Sequence, residues 1–129
     1  MDRVLLVALG GGIGSVLRYG TSLIAARWLG VDFPYGTLIV NVVGSFLIGV
    51  VQELAGETGM IREPTRLFLS AGVMGGFTTY SAFSYETVRL VQLGGVGRAV
   101  ANVLVTTLVC LAVCVLGVAA GRAAVSLRG

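Results

Sequence analysis

Four apolar stretches, each about long enough to cross a bilayer, limit what this chain can become. They cover residues 4–26, 33–52, 67–85 and 99–121. A helix crosses the hydrocarbon core with about 20 mostly apolar residues, and only helices or closed barrels satisfy every backbone group there. Only the first stretch carries a charge, Arg18. Charged residues make up 12% of the chain, about half of what a soluble domain carries. The polar and helix-breaking residues fall in short connections: Asp32 and Pro34, then Glu53 to Pro64, then Glu86 to Arg98.

The expected fold is therefore an all-α membrane protein with four transmembrane helices. With their flanks they run over residues 4–29, 33–53, 64–91 and 98–122, in a single domain spanning residues 1–129. The first stretch is too long for the core of a signal peptide and contains Arg18, so it reads as a mature helix. The expected location is the inner (plasma) membrane, crossed several times.

Four spans place both termini on one side, together with Arg3, Arg62, Arg66, Arg122 and Arg128. Arg27, Arg89 and Arg98 face the other side. Positive charge sets orientation, and five against three is a weak instruction. Two readings stand equally: a slight preference for cytoplasmic termini, or insertion both ways. Four helices hardly enclose an aqueous path, and a monomer would turn its intramembrane polar groups to lipid, so an oligomer is expected. The arginines form no run, so no nucleic-acid partner is expected. With no His and no nucleophile–base pair in a plausible pocket, neither is an enzyme.

The third stretch is the least ordinary. Ser70 to Ser84 holds Gly72, Gly75 and Gly76 together with Thr78, Thr79, Ser81 and Ser84. Gly75-Gly76 followed by Thr78-Thr79 suggests a third helix broken near mid-membrane. Irregular backbone at that depth needs protein or a water-filled cavity around it. Freed carbonyls suit a small cation and half-helix N-termini suit an anion, although glycine and serine also permit close helix packing. Gly10-Gly11-Gly12-Ile13-Gly14 fails the dinucleotide-binding spacing and reads as close packing. Arg18 is a snorkelling residue or a fixed charge that favours anions. Asn41 is an interhelical hydrogen bond or a pore-lining group. Asn102, Thr106 and Cys110 share one helical face, either packing or conduit. Tyr80 and Phe83 are a packing pair, or ring edges that meet an anion. Cys110 and Cys114 read as packing residues, since one helical turn suits no disulfide.

Taken together, three segments resemble the CrcB/Fluc fluoride channels. They are Gly11-Gly12-x-Gly14-x-x-x-Arg18-Tyr19, Gly36-Thr37-Leu38-x-Val40-Asn41-x-x-Gly44, and Gly75-Gly76-Phe77-Thr78-Thr79-Tyr80-Ser81-x-Phe83-Ser84. They follow in family order and spacing. The resemblance implies an antiparallel, dual-topology homodimer with two fluoride pathways and one structural sodium ion on its axis. It places the sodium on the backbone carbonyls of Gly75 and Thr78 of both subunits. It implies a passive fluoride leak, with Asn41, Tyr80, Ser81, Phe83, Ser84 and Thr106 along the path and Arg18 as an electropositive entry. The family usually carries Phe at both ring positions, and this chain has Tyr80 at the first. Two rivals remain. A small multidrug-type exporter would need an intramembrane carboxylate, which the four stretches lack. A non-transporting membrane assembly subunit would use the glycines and hydroxyls only to pack.

Overall fold

A computed structural model describes residues 2–56 and 59–128, and these are helical with no strand among them. Helix α1 covers Arg3–Leu29, α2 Tyr35–Leu54, α3 Glu63–Leu67, α4 Gly75–Phe77, α5 Tyr80–Gln92 and α6 Val96–Arg128. A π-helical segment, Phe68–Met74, joins α3 to α4. Three helices, α1, α2 and α6, are each long and apolar enough to cross a membrane. Helix α6, with 33 residues, extends roughly 50 Å at 1.5 Å per residue. It runs beyond the apolar stretch because Arg122, Ala123, Ala124 and Leu127 are strong helix formers.

The helix ends follow local chemistry. Asp2 caps α1 by accepting from the Val4 amide at 2.9 Å. Gly94, at φ +83°, turns the chain between α5 and α6, a conformation that disfavours other residues. At one end of the bundle, Arg3 pairs with Glu63 at 2.8 Å and Arg122 with Glu53 at 3.4 Å.

Helix α2 packs along α6 and against α1, while α1 packs along the π segment and α4. Small residues permit this. A side chain at Gly10 would meet the Phe68 carbonyl at 2.5 Å, and one at Gly14 would strike the Val73 carbonyl. On the other seam, a Cβ at Gly49 would stand 2.7 Å from the Cys114 carbonyl. Backbone contact of this kind lets helices associate where no hydrophobic drive operates between them. Gly10, Gly11 and Gly14 thus form a packing seam in this fold, while Gly12 faces outward with open space beside it.

Gly75 and Gly76 differ in this respect. A Cβ on Gly76 would collide with the Gly11 carbonyl, whereas one on Gly75 would meet nothing nearer than the Ser70 carbonyl at 3.7 Å. Gly76→Ala should therefore destabilise the protomer by about 1–3 kcal/mol, the usual cost of overpacking. Gly75→Ala should leave the protomer fold intact. Thermal unfolding of the two purified variants in detergent measures this, and equal losses would contradict it.

Candidate functional site

The helix-forming turns run through both glycines and stop at Phe77. Thr78 (φ −87°, ψ 157°) and Thr79 (φ −154°, ψ 117°) are extended, and helix resumes at Tyr80. The freed backbone is satisfied from several sides. Thr79 donates its N–H to Asn41 Oδ1 at 2.9 Å, and Asn41 Nδ2 donates to the Thr79 carbonyl at 3.1 Å. One amide side chain thus takes the place of a neighbouring peptide group. Thr79 also caps α5, its hydroxyl accepting from the Ala82 amide at 3.1 Å. Arg18 Nε donates to the Gly76 carbonyl at 3.0 Å. Its guanidinium therefore sits at the C-terminal, partially negative end of the half-helix that finishes at Phe77.

Among the described residues, no hydrogen-bond donor meets the carbonyl of Gly75 or of Thr78. Both residues line a shallow groove of 280 Å³ with Gly44, Ser45, Ser70 and Met74. The same set offers no carboxylate, thiol or imidazole, and no group of three or more such ligands occurs among the described residues. Two free carbonyl oxygens at an open face suit a hard cation that draws further oxygens from elsewhere.

A second groove, of 430 Å³, lies beside the extended pair and is lined by Asn41, Thr79, Tyr80, Phe83, Thr106 and Cys110 among others. Four of the residues expected on a pathway therefore meet in one place: Asn41, Tyr80, Phe83 and Thr106. The rings of Tyr80 and Phe83 stand 5.6 Å apart and tilted by 42°. Tyr80 is 72% exposed in the single chain. Ser81 and Ser84 are exposed on α5 and lie outside this lining.

Some hydroxyl protons are committed, whereas those of Ser45, Tyr80 and Thr107, which also line the second groove, have no acceptor among the described residues. Ser84 donates to the Tyr80 carbonyl at 2.9 Å, Thr106 to Asn102 Oδ1 at 3.2 Å, and Thr78 to the Met74 carbonyl at 2.9 Å. Ser81 and Thr79 share one hydrogen bond at 3.2 Å. Asn41 has two N–H groups and one is used on Thr79, so the second remains for the groove. Midway along α5, Thr37 donates to the Glu86 carboxylate across from α2. Cys110 and Cys114 are free thiols.

Sequence reasoning did not single out Thr37, Glu86 or Thr87, and it took Thr79 only as part of the break. Thr37 and Thr79 already stood inside the quoted segments. Glu86 and Thr87 carried no local signal, since Thr37 and Asn102, which bond to them, lie on other helices.

Residues 5–118 match the family described as CrcB-like protein, Camphor Resistance (CrcB). The chain belongs to the CrcB-like family. Curated relatives cover nearly its whole length. A "Fluoride-specific ion channel FluC" of Sorangium cellulosum is 47% identical over 122 residues, 95% of this chain and 96% of the relative. One of Anaeromyxobacter dehalogenans is 54% identical over 112 residues, 87% and 89% of the two chains. One of Thermus thermophilus is 54% identical over 99 residues, 77% and 78% of the two. The family places this chain among multi-pass membrane proteins, consistent with its three long apolar helices.

Proposed function

We propose that this CrcB-like chain forms a fluoride-selective, passive channel that lets fluoride leave the cell down its gradient. The observation that carries this reading is the groove beside Thr78-Thr79, where the spare Asn41 amide N–H and the Tyr80 and Phe83 rings converge. The relatives' name supports the ion's identity.

Fluoride is small and holds its water tightly, so a dry path must replace that water with donors. Conduction also requires several weak sites in place of one strong one. Asn41 supplies an N–H donor, and the two rings supply positive edges. The N-terminus of α5 at Tyr80 adds its partial positive charge near the groove. Arg18, held on the Gly76 carbonyl, contributes a fixed positive charge nearby. These contacts are individually weak, so the ion is held loosely enough to move on.

The wider assembly belongs to the same proposal. The π segment, α4 and α5 together form the third of four spans, broken at Thr78-Thr79. Two subunits pack antiparallel, each supplying one fluoride path. Their axis holds a structural sodium ion on the Gly75 and Thr78 carbonyls of both. In its support, those carbonyls have no donor among the described residues and Gly75 has open space beside it. The sodium would contribute fixed positive charge to the pair of pathways.

Proteoliposomes loaded with fluoride should empty rapidly once a potassium ionophore clamps the voltage, and chloride-loaded ones should not. Equal loss of both ions, or of neither, would refute the channel. For the dimer, cysteine labelling at an introduced C-terminal site should find that terminus on both membrane faces in comparable amounts. A single orientation throughout would contradict the antiparallel arrangement.

A further inference from the structure

Asn102 is among the most buried side chains in the protein, 1% exposed, and it belongs to no part of the groove lining. It sits in the middle of a chain of side-chain hydrogen bonds. Thr106 Oγ1 donates to Asn102 Oδ1 at 3.2 Å, Asn102 Nδ2 donates to Thr87 Oγ1 at 2.9 Å, and Thr87 Oγ1 donates to the Phe83 carbonyl at 2.7 Å. The chain starts at one groove residue on α6, crosses to α5, and ends on the backbone of another groove residue.

The direction of every proton in this chain follows from its far end. A carbonyl only accepts, so Thr87 must donate its single proton to Phe83. Towards Asn102, Thr87 is then left only as an acceptor. The amide nitrogen of Asn102 must therefore face Thr87, and its oxygen must face Thr106. Thr106 in turn must donate. The hydroxyl of Thr106 thus gives its proton to Asn102 and has none left for the groove.

We infer that Asn102 is a positioning residue for the anion groove: through Thr87 it holds the Phe83 segment of α5 against α6, and through Thr106 it withholds a hydroxyl proton from the ion. Both effects favour conduction. Phe83 keeps its place in the groove lining. The groove, already lined by the hydroxyls of Ser45, Tyr80 and Thr107, is also spared one further donor that would add to the hold on an anion. This inference rests on the channel reading above. Asn102 itself does not touch the ion.

A fluoride-efflux cycle on the full-length protein in liposomes tests it. Asn102→Leu and Thr87→Val should each slow fluoride efflux about tenfold. The double variant should be no slower than either single one, because residues in one hydrogen-bond chain do not act additively. Asn102→Asp supplies a readout that mere packing would not move. Its protonated acid still donates to Thr87 and accepts from Thr106. The carboxylate only accepts, and draws the Thr87 proton off the Phe83 carbonyl. Efflux through this variant should therefore be near that of the parent protein at about pH 5 and fall towards that of Asn102→Leu by about pH 9. Glu86, next to Thr87 in the chain, is present in every protein compared, so the parent at each pH is the reference.

Parent-like efflux from Asn102→Leu would overturn the inference. So would losses that multiply in the double variant, or an Asp variant that follows the parent's pH profile. If Asn102→Leu does not fold, the Asp variant decides alone. Absence of fluoride flux through the parent protein would strike the channel reading itself, a result distinct from all of these.

Discussion

Asn41→Leu should abolish most fluoride flux and lower the stability of the protein together. The side chain makes two hydrogen bonds to the Thr79 backbone, at 2.9 and 3.1 Å. Leucine has similar bulk and makes neither. The Thr79 N–H and carbonyl would then lie partly buried without partners, each at a cost of about 1–3 kcal/mol. The extended pair would lose its anchor, and the groove its one spare amide proton. A fall in flux of at least about tenfold corresponds to only ~1.4 kcal/mol of barrier. Asn41→Asp separates the two roles. Its carboxylate still accepts from the Thr79 amide, so part of the stability returns. It also places negative charge in an anion path, so flux should stay low at neutral pH. Efflux and detergent melting, measured on both variants, check this. Aspartate restoring flux as well as stability would contradict the role given to the spare N–H.

Replacing both rings should be more damaging to flux and much less damaging to the fold. Tyr80 is largely exposed and Phe83 half-buried, and their mutual contact spans 5.6 Å between centroids. Tyr80→Ile with Phe83→Ile removes both positive edges while keeping an apolar surface. Fluoride efflux should fall at least about a hundredfold, equivalent to ~2.7 kcal/mol of lost compensation for dehydration, while the variant elutes as the parent protein does. Phe83→Ile alone should carry most of the loss, since Phe83 offers only a ring edge. Tyr80→Phe should leave conduction intact, because the ring edge remains. A rise would mark the hydroxyl as an obstruction, and a fall would mark it as a donor. Near-normal fluoride efflux from the double variant would reduce the rings to packing.

The long helices were legible because apolar length dominates everything else in such a chain. Their ends were less so. The sequence reading stops the fourth stretch at residue 122, but α6 continues to Arg128 on alanines that carry no strong apolar signal. Gly75-Gly76 together with Thr78-Thr79 reads as the weak point of the third stretch. In the structure both glycines are helical, and the extended residues are Thr78 and Thr79. The reason lies elsewhere in the chain: Gly76 is needed for approach to Gly11, while Asn41 captures Thr79 from 38 positions away. The π-helical turns over Phe68–Met74 depend on the same kind of distant contact, with α1 packed against them. Proton direction was also beyond the sequence. Thr106 and Ser84 are donors by residue type, but their protons are given to Asn102 and to the Tyr80 carbonyl. Only the positions of those acceptors reveal it.

The central claim is selectivity for fluoride, and a bi-ionic reversal potential measures it most directly. The purified protein is placed in a planar bilayer with fluoride on one side and an equal concentration of chloride on the other. A groove that compensates dehydration through one amide N–H and two ring edges should pass fluoride almost alone. The reversal potential should then lie far from zero, on the side set by fluoride moving down its gradient. A reversal potential near zero, with measurable current, would mean that both halides share the path and would contradict the account.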